Sequence, residues 1–96
     1  MTHTQEKITY PCLPLAIYRE LAAHLRQIQG VTTELVSQQS QQFDYNQSQI
    51  DHINIRYPLT LSLSEKQRLE EILDYYAQTY HPYTRELVTK DYTPNY

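Results

Sequence analysis

Cys12 is the strongest nucleophile in the chain, set in Pro11-Cys12-Leu13-Pro14 just ahead of a stretch with helical periodicity. A thiol beside a helix N-terminus can have its pKa lowered and become reactive. No histidine or carboxylate near it in sequence completes a nucleophilic arrangement, and an isolated cysteine serves equally well as a small buried hydrophobe. The inert role is the better match. The histidines, His3, His24, His52 and His81, have neither H-x3-H nor H-E-x-x-H spacing, and one cysteine cannot supply a zinc-binding cysteine pair. Phosphate cradles need glycine so that the backbone can approach the ligand, and Gly30 is the only glycine. Neither a Rossmann loop nor a P-loop can be built from it. Glu70, Glu71 and Asp74 share a helical stretch but lie off its apolar stripe, which predicts a solvated acidic face. No catalytic residue, metal or cofactor is assigned on these grounds.

Binding is better represented than catalysis. Ten tyrosines stand against one phenylalanine and no tryptophan. A tyrosine buries a large ring while its hydroxyl still needs a partner, so such a chain favours half-buried rings at core edges or interfaces. Phe43 and Tyr45 interrupt the polar, glutamine-rich stretch 37–48, and Tyr92 and Tyr96 close the sequence. These four are the candidate interaction residues, with anchoring of the loop and plain disorder of the tail as the blander alternatives. A pocket between helix and sheet would draw its polar groups from Cys12, His52, Arg56 and Tyr57. Nucleic-acid binding through Arg56 and a neighbouring stacked ring is a third possibility, disfavoured by the net charge of −3 and the scatter of the eight Lys and Arg.

These side chains must be positioned by a chain of 96 residues, enough for one domain. Residues 1–12 read as an extended arm or an edge strand around Ile8-Thr9-Tyr10, ended by Pro11. Residues 13–82 read as an αββα domain. Ile17, Leu21, Leu25 and Ile28, flanked by Tyr18 and Ala22, give one apolar stripe over 14–29, with Gly30 at the capping end. Val31 to Val36 and Ile50 to Tyr57 have strand patterns, the latter with Ile53, Ile55 and Tyr57 on one side and His52, Asn54 and Arg56 on the other. A second helix starts at Ser62 or Ser64, both of which fit a capping box, and ends at His81-Pro82. Residues 83–96 read as an aromatic, polar tail.

The expected fold is therefore a small two-layer α+β domain, an antiparallel hairpin packed with two helices. Two strands rarely suffice. Either Ile8–Tyr10 or Leu87-Val88 adds a third, or two chains pair into a four-stranded sheet across a homodimer. The N-terminus has no signal-peptide core and no apolar run approaches about 18 residues, so a cytoplasmic chain with no membrane partner is expected. The functional expectation is a non-catalytic interaction module whose partner is itself or another protein, with a small-molecule or enzymatic pocket as the alternative.

Overall fold

The computed structural model describes residues 3–38 and 50–91, with the backbone alone for 89–91. Six elements follow in the order β1 (His3–Thr9), α1 (Leu15–Arg26), β2 (Thr32–Ser37), β3 (Ile50–Pro58), α2 (Leu63–Thr79) and β4 (Thr84–Asp91). The strands form one antiparallel sheet in the order β2-β3-β1-β4. Each helix connects two strands that hold a third between them, which is the split βαβ, or ferredoxin-like, arrangement. The fold is α+β, as expected.

The helices follow from their sequence stripes. Tyr18, Leu21, Ala22 and Leu25 of α1 and Leu69, Leu73 and Tyr76 of α2 are buried. They meet Ile8, Ile53, Ile55 and Tyr57 from one face of the sheet in a single core. Of the two candidate caps, Ser62 begins α2: its Oγ accepts the Glu65 N–H at 3.2 Å and its hydroxyl donates to Glu65 Oε1. Gly30 adopts φ +89°, and a Cβ there would lie 3.3 Å from Pro58 Cδ. Both the left-handed backbone and the tight approach to the end of β3 require glycine.

Two tyrosines fix the turn from β1 into α1. The Tyr18 hydroxyl accepts the Tyr10 N–H at 2.9 Å and donates to the Tyr10 carbonyl at 3.1 Å. The Tyr10 hydroxyl reaches across the core and donates to the Leu73 carbonyl at 2.7 Å. The ring-rich composition is thus partly spent inside, where each of these hydroxyls finds a partner.

The ends of the chain correct the expected domain map. Residues 1–12 supply an interior strand, β1, flanked by β3 and β4, and residues 83–96 supply β4 as an outer strand. Sequence pattern marks only Ile8–Tyr10 and Leu87-Val88 as possible strands, because the other core-facing positions break the apolar alternation. In β1 the core-facing positions are Thr4, Glu6 and Ile8, and in β4 Arg85 and Leu87 stand opposite Ile8 and Glu6. With both strands in place, the sheet reaches four strands within one chain. The reason for invoking a two-fold axis to complete it therefore falls away. Among the described residues, no helix is long and apolar enough to cross a membrane.

Candidate functional site

Two places on the described surface gather side chains with functional potential, and they lie on different sides of α2.

The first is the polar end of the core. Glu6 projects from β1 into the layer between sheet and helices, where its side chain is only 10% exposed. Arg85 from β4 clamps it with two bonds, Nε to Oε1 at 2.7 Å and Nη2 to Oε2 at 2.8 Å. The remaining Arg85 nitrogen, Nη1, donates to Glu70 of α2, and the Tyr57 hydroxyl of β3 donates to Glu6 Oε2 at 2.7 Å. One guanidinium therefore ties together two strands and a helix. Burial pushes the Glu6 carboxyl up, but the bonds from Arg85 and Tyr57 and the charges of Arg85 and Lys66 outweigh it, so Glu6 is held below its ordinary range. The Tyr57 hydroxyl is pushed up to about 12 by burial and by its bond to the Glu6 carboxylate. A group that moves protons at neutral pH needs a pKa near 7. Both shifts lead away from it. A cavity of about 320 Å³ opens beside the cluster, rimmed by Pro58, Leu59, Leu61, Lys66 and Leu87.

The second is a groove of about 370 Å³ between α1 and α2, lined by His24, Gln27, Arg68, Glu71, Ile72, Tyr75 and Tyr76. Spacing explains its composition. Tyr76 continues the buried stripe of α2, whereas Tyr75, one position earlier, turns outward and is 60% exposed. The Tyr76 hydroxyl donates to Glu20 Oε1 at 3.1 Å and lies 2.6 Å from His24 Nδ1, which completes the pair as donor in its Nδ1–H tautomer. Burial, then the Glu20 bond, raises the Tyr76 pKa further from the neutral range. The trio bridges the two helices rather than forming a nucleophile. Tyr75 packs edge-on to Tyr76 at 5.2 Å, and Tyr80 stacks on its other side at 6.3 Å. The floor is aromatic and aliphatic. The rim carries one cation, Arg68, and one anion, Glu71.

The four pocket residues expected from sequence do not assemble. Cys12 is exposed, in the turn before α1, with φ 59°. His52 and Arg56 lie on the outer face of the sheet, where His52 Nδ1 meets Asp51 Oδ2 at 2.5 Å. Arg56 borders a shallow depression there with Gln5, Thr32, Glu34 and Asn54. Tyr57 alone points inward, into the Glu6 cluster. Pleating separates Arg56 from Tyr57, and the alternation of β3 already implied as much. Among the described residues, the outer face carries no Tyr or Phe. Phe43, Tyr45, Tyr92 and Tyr96 lie outside the described residues.

The acidic face of α2 holds in part. Glu70 is half-buried and taken by Arg85, whereas Asp74 is exposed to water and accepts the Tyr83 hydroxyl at 3.0 Å. Glu71 remains exposed, 3.5 Å from the Gln67 amide. Sequence reasoning missed Glu6, Arg85, Tyr75 and His24 as site residues. The signal for Glu6 was its phase, since Glu6 falls in step with Ile8 and Tyr10. Among the described residues, no group of three or more metal-binding side chains occurs, and no described buried side-chain nitrogen or oxygen lacks a hydrogen-bond partner. No protein-family model matches the chain, and no curated protein matches it significantly.

Proposed function

We propose that this domain is a non-catalytic protein-interaction module that receives an anchoring side chain of a partner protein in the groove between α1 and α2. The observation that supports it is the exposure of Tyr75 over an aromatic floor, with Arg68 on the rim. Tyrosine and arginine beside a partly enclosed apolar floor are the composition of interface hot spots. The shifted tyrosines and Glu6 point the same way, because none is tuned toward neutral pH. The exposed, free Cys12 suits a reducing, cytoplasmic setting.

The test starts with native mass spectrometry of the chain purified gently from its own host. Affinity is then measured for whatever protein accompanies it, another chain or a second copy. Tyr75→Ala should weaken that complex at least about tenfold, the scale of a hot-spot truncation. Its melting temperature should hardly change, because exposed side chains contribute little to stability. A complex indifferent to Tyr75→Ala would overturn the groove as the contact surface.

A second reading places a small molecule in the cavity between α2 and the sheet, beside Arg85. What favours it is the position of the cavity and the ammonium of Lys66 on its rim. A small mass carried by a single chain and lost on Lys66→Ala would select it over the groove.

A further inference from the structure

β4 is attached differently from the rest of the sheet. Among the described residues it is an outer strand, hydrogen-bonded to β1 alone. Its ladder is broken between Gln5 and Glu6, which pair with Thr89 and Leu87 and leave Val88 as the extra residue of a bulge. None of its described side chains is buried, and its two apolar residues, Leu87 and Val88, are 58% and 51% exposed. Apolar burial therefore contributes little to holding it. Beyond its backbone ladder to β1, what holds it is polar and concentrated in a few side chains: the Arg85 clamp on Glu6 and Glu70, the Tyr83 bond to Asp74 just before the strand, and the looser Lys7–Glu86 pair at 3.9 Å. Elements with few buried apolar contacts open locally, below the cost of global unfolding.

The connection from α2 to β4 is equally suggestive. Only residues 80–83 separate Thr79 from Thr84, and they include Pro82. The residue before a proline is biased toward extended backbone. Four residues stretched out span about 13 Å, enough to swing the strand clear of its own sheet. Once β4 has left, β1 offers a bare edge flanked by Glu6 and Glu70. The strand that fits that edge in register and in charge is β4 itself.

We propose that β4 is a detachable strand latched by Arg85, and that its release lets two copies of the chain exchange β4, each closing the other's sheet. In the exchanged dimer every contact within the sheet is preserved, with Arg85 of one copy clamped between Glu6 and Glu70 of the other. Only the 80–83 hinge changes conformation. Such exchange is a low-cost route to a dimer because it reuses contacts already selected in the single chain. The proposal is independent of the helical groove, which lies on the other side of α2.

The test compares three full-length chains: the parent, Glu70→Gln, and a variant carrying Lys7→Cys, Glu86→Cys and Cys12→Ser. Lys7 and Glu86 are register partners, so their cysteines can bond β1 to β4. Hydrogen exchange should show the 84–91 peptide of the parent opening before β3 and α1. In Glu70→Gln that opening should be about tenfold easier, with β3 unchanged, as loss of one charge-assisted bond implies. Refolding at high concentration followed by native mass spectrometry should give a two-chain species. That species should be several-fold enriched in Glu70→Gln. It should disappear from the cysteine variant once its disulfide has formed within one chain before refolding. Exchange of 84–91 only together with β3, or insensitivity to Glu70→Gln, would refute the latch. Single chains throughout, or dimers persisting despite the intrachain disulfide, would refute the exchange.

Discussion

The sheet has two halves built on different chemistry. In the β2–β3 half, Leu35, Ile53 and Ile55 face α1 through aliphatic contact, and the core there is continuous with Leu21, Leu25, Ile28 and Val31. In the β1–β4 half, the inward positions beside Ile8 include Glu6 and Arg85, joined to Tyr57 and Glu70. An apolar half gains from every methylene it removes from water and tolerates imprecision. An ion-paired half depends on all its partners being present, since one missing partner leaves a buried charge. The difference is one of fragility to single changes rather than of total stability.

That contrast can be broken most severely from the apolar side. Ile53→Asp, at a fully buried position, puts an unpaired carboxylate into the core and should leave the chain unfolded at room temperature, as circular dichroism would show. Next in size, Arg85→Met should cost about 3 kcal/mol in urea denaturation, because Glu6 loses its counter-ion. Glu6→Leu combined with Arg85→Met should recover most of that loss, since an apolar pair needs no solvation. If the double variant were as unstable as the single, the clamp would be doing something other than neutralising a buried charge.

pH sharpens the comparison further. The folded Glu6 carboxyl lies below its ordinary value of 4.5, so its contribution is complete above that value and is lost as pH falls through the lower, folded one. The Glu6→Leu/Arg85→Met chain should therefore show a flatter acid limb than the parent. At the alkaline end, Tyr57 contributes below its ordinary value of 10.0, and that contribution is lost as pH rises through about 12. The smallest effect belongs to neither half. Ser62→Ala removes only the cap of α2 and should cost about 1 kcal/mol.

The same contrast explains what was legible in the sequence. Both helices, the β2–β3 hairpin and the inward trio Ile53, Ile55 and Tyr57 follow from hydrophobic period, and the structure places them accordingly. β1 was half visible, at Ile8 to Tyr10, and β4 only at Leu87-Val88, because pattern reasoning scores a buried charge as a surface residue. Glu6 and Arg85 are far apart in sequence, so neither announces the other. The groove was hidden for a different reason. Tyr75 and Tyr76 are adjacent and chemically identical, and only the phase of α2 sends one into the core and the other into solvent.

The interior position of β1 bears on the order in which the molecule can be made. Ile8 emerges from the ribosome long before Ile53 and Arg85, the two residues that flank it in the finished sheet. Until β3 has been synthesised, β1 has no neighbouring strand, and α1 has only part of a surface to lie on. Non-local pairing of this kind slows folding, because loops must close before contacts reward them. The nascent chain therefore carries β1 as an unpaired edge until β3 has been made. In β1 that strand alternates Gln5 and Lys7 with Glu6, a composition that stays in water while it waits.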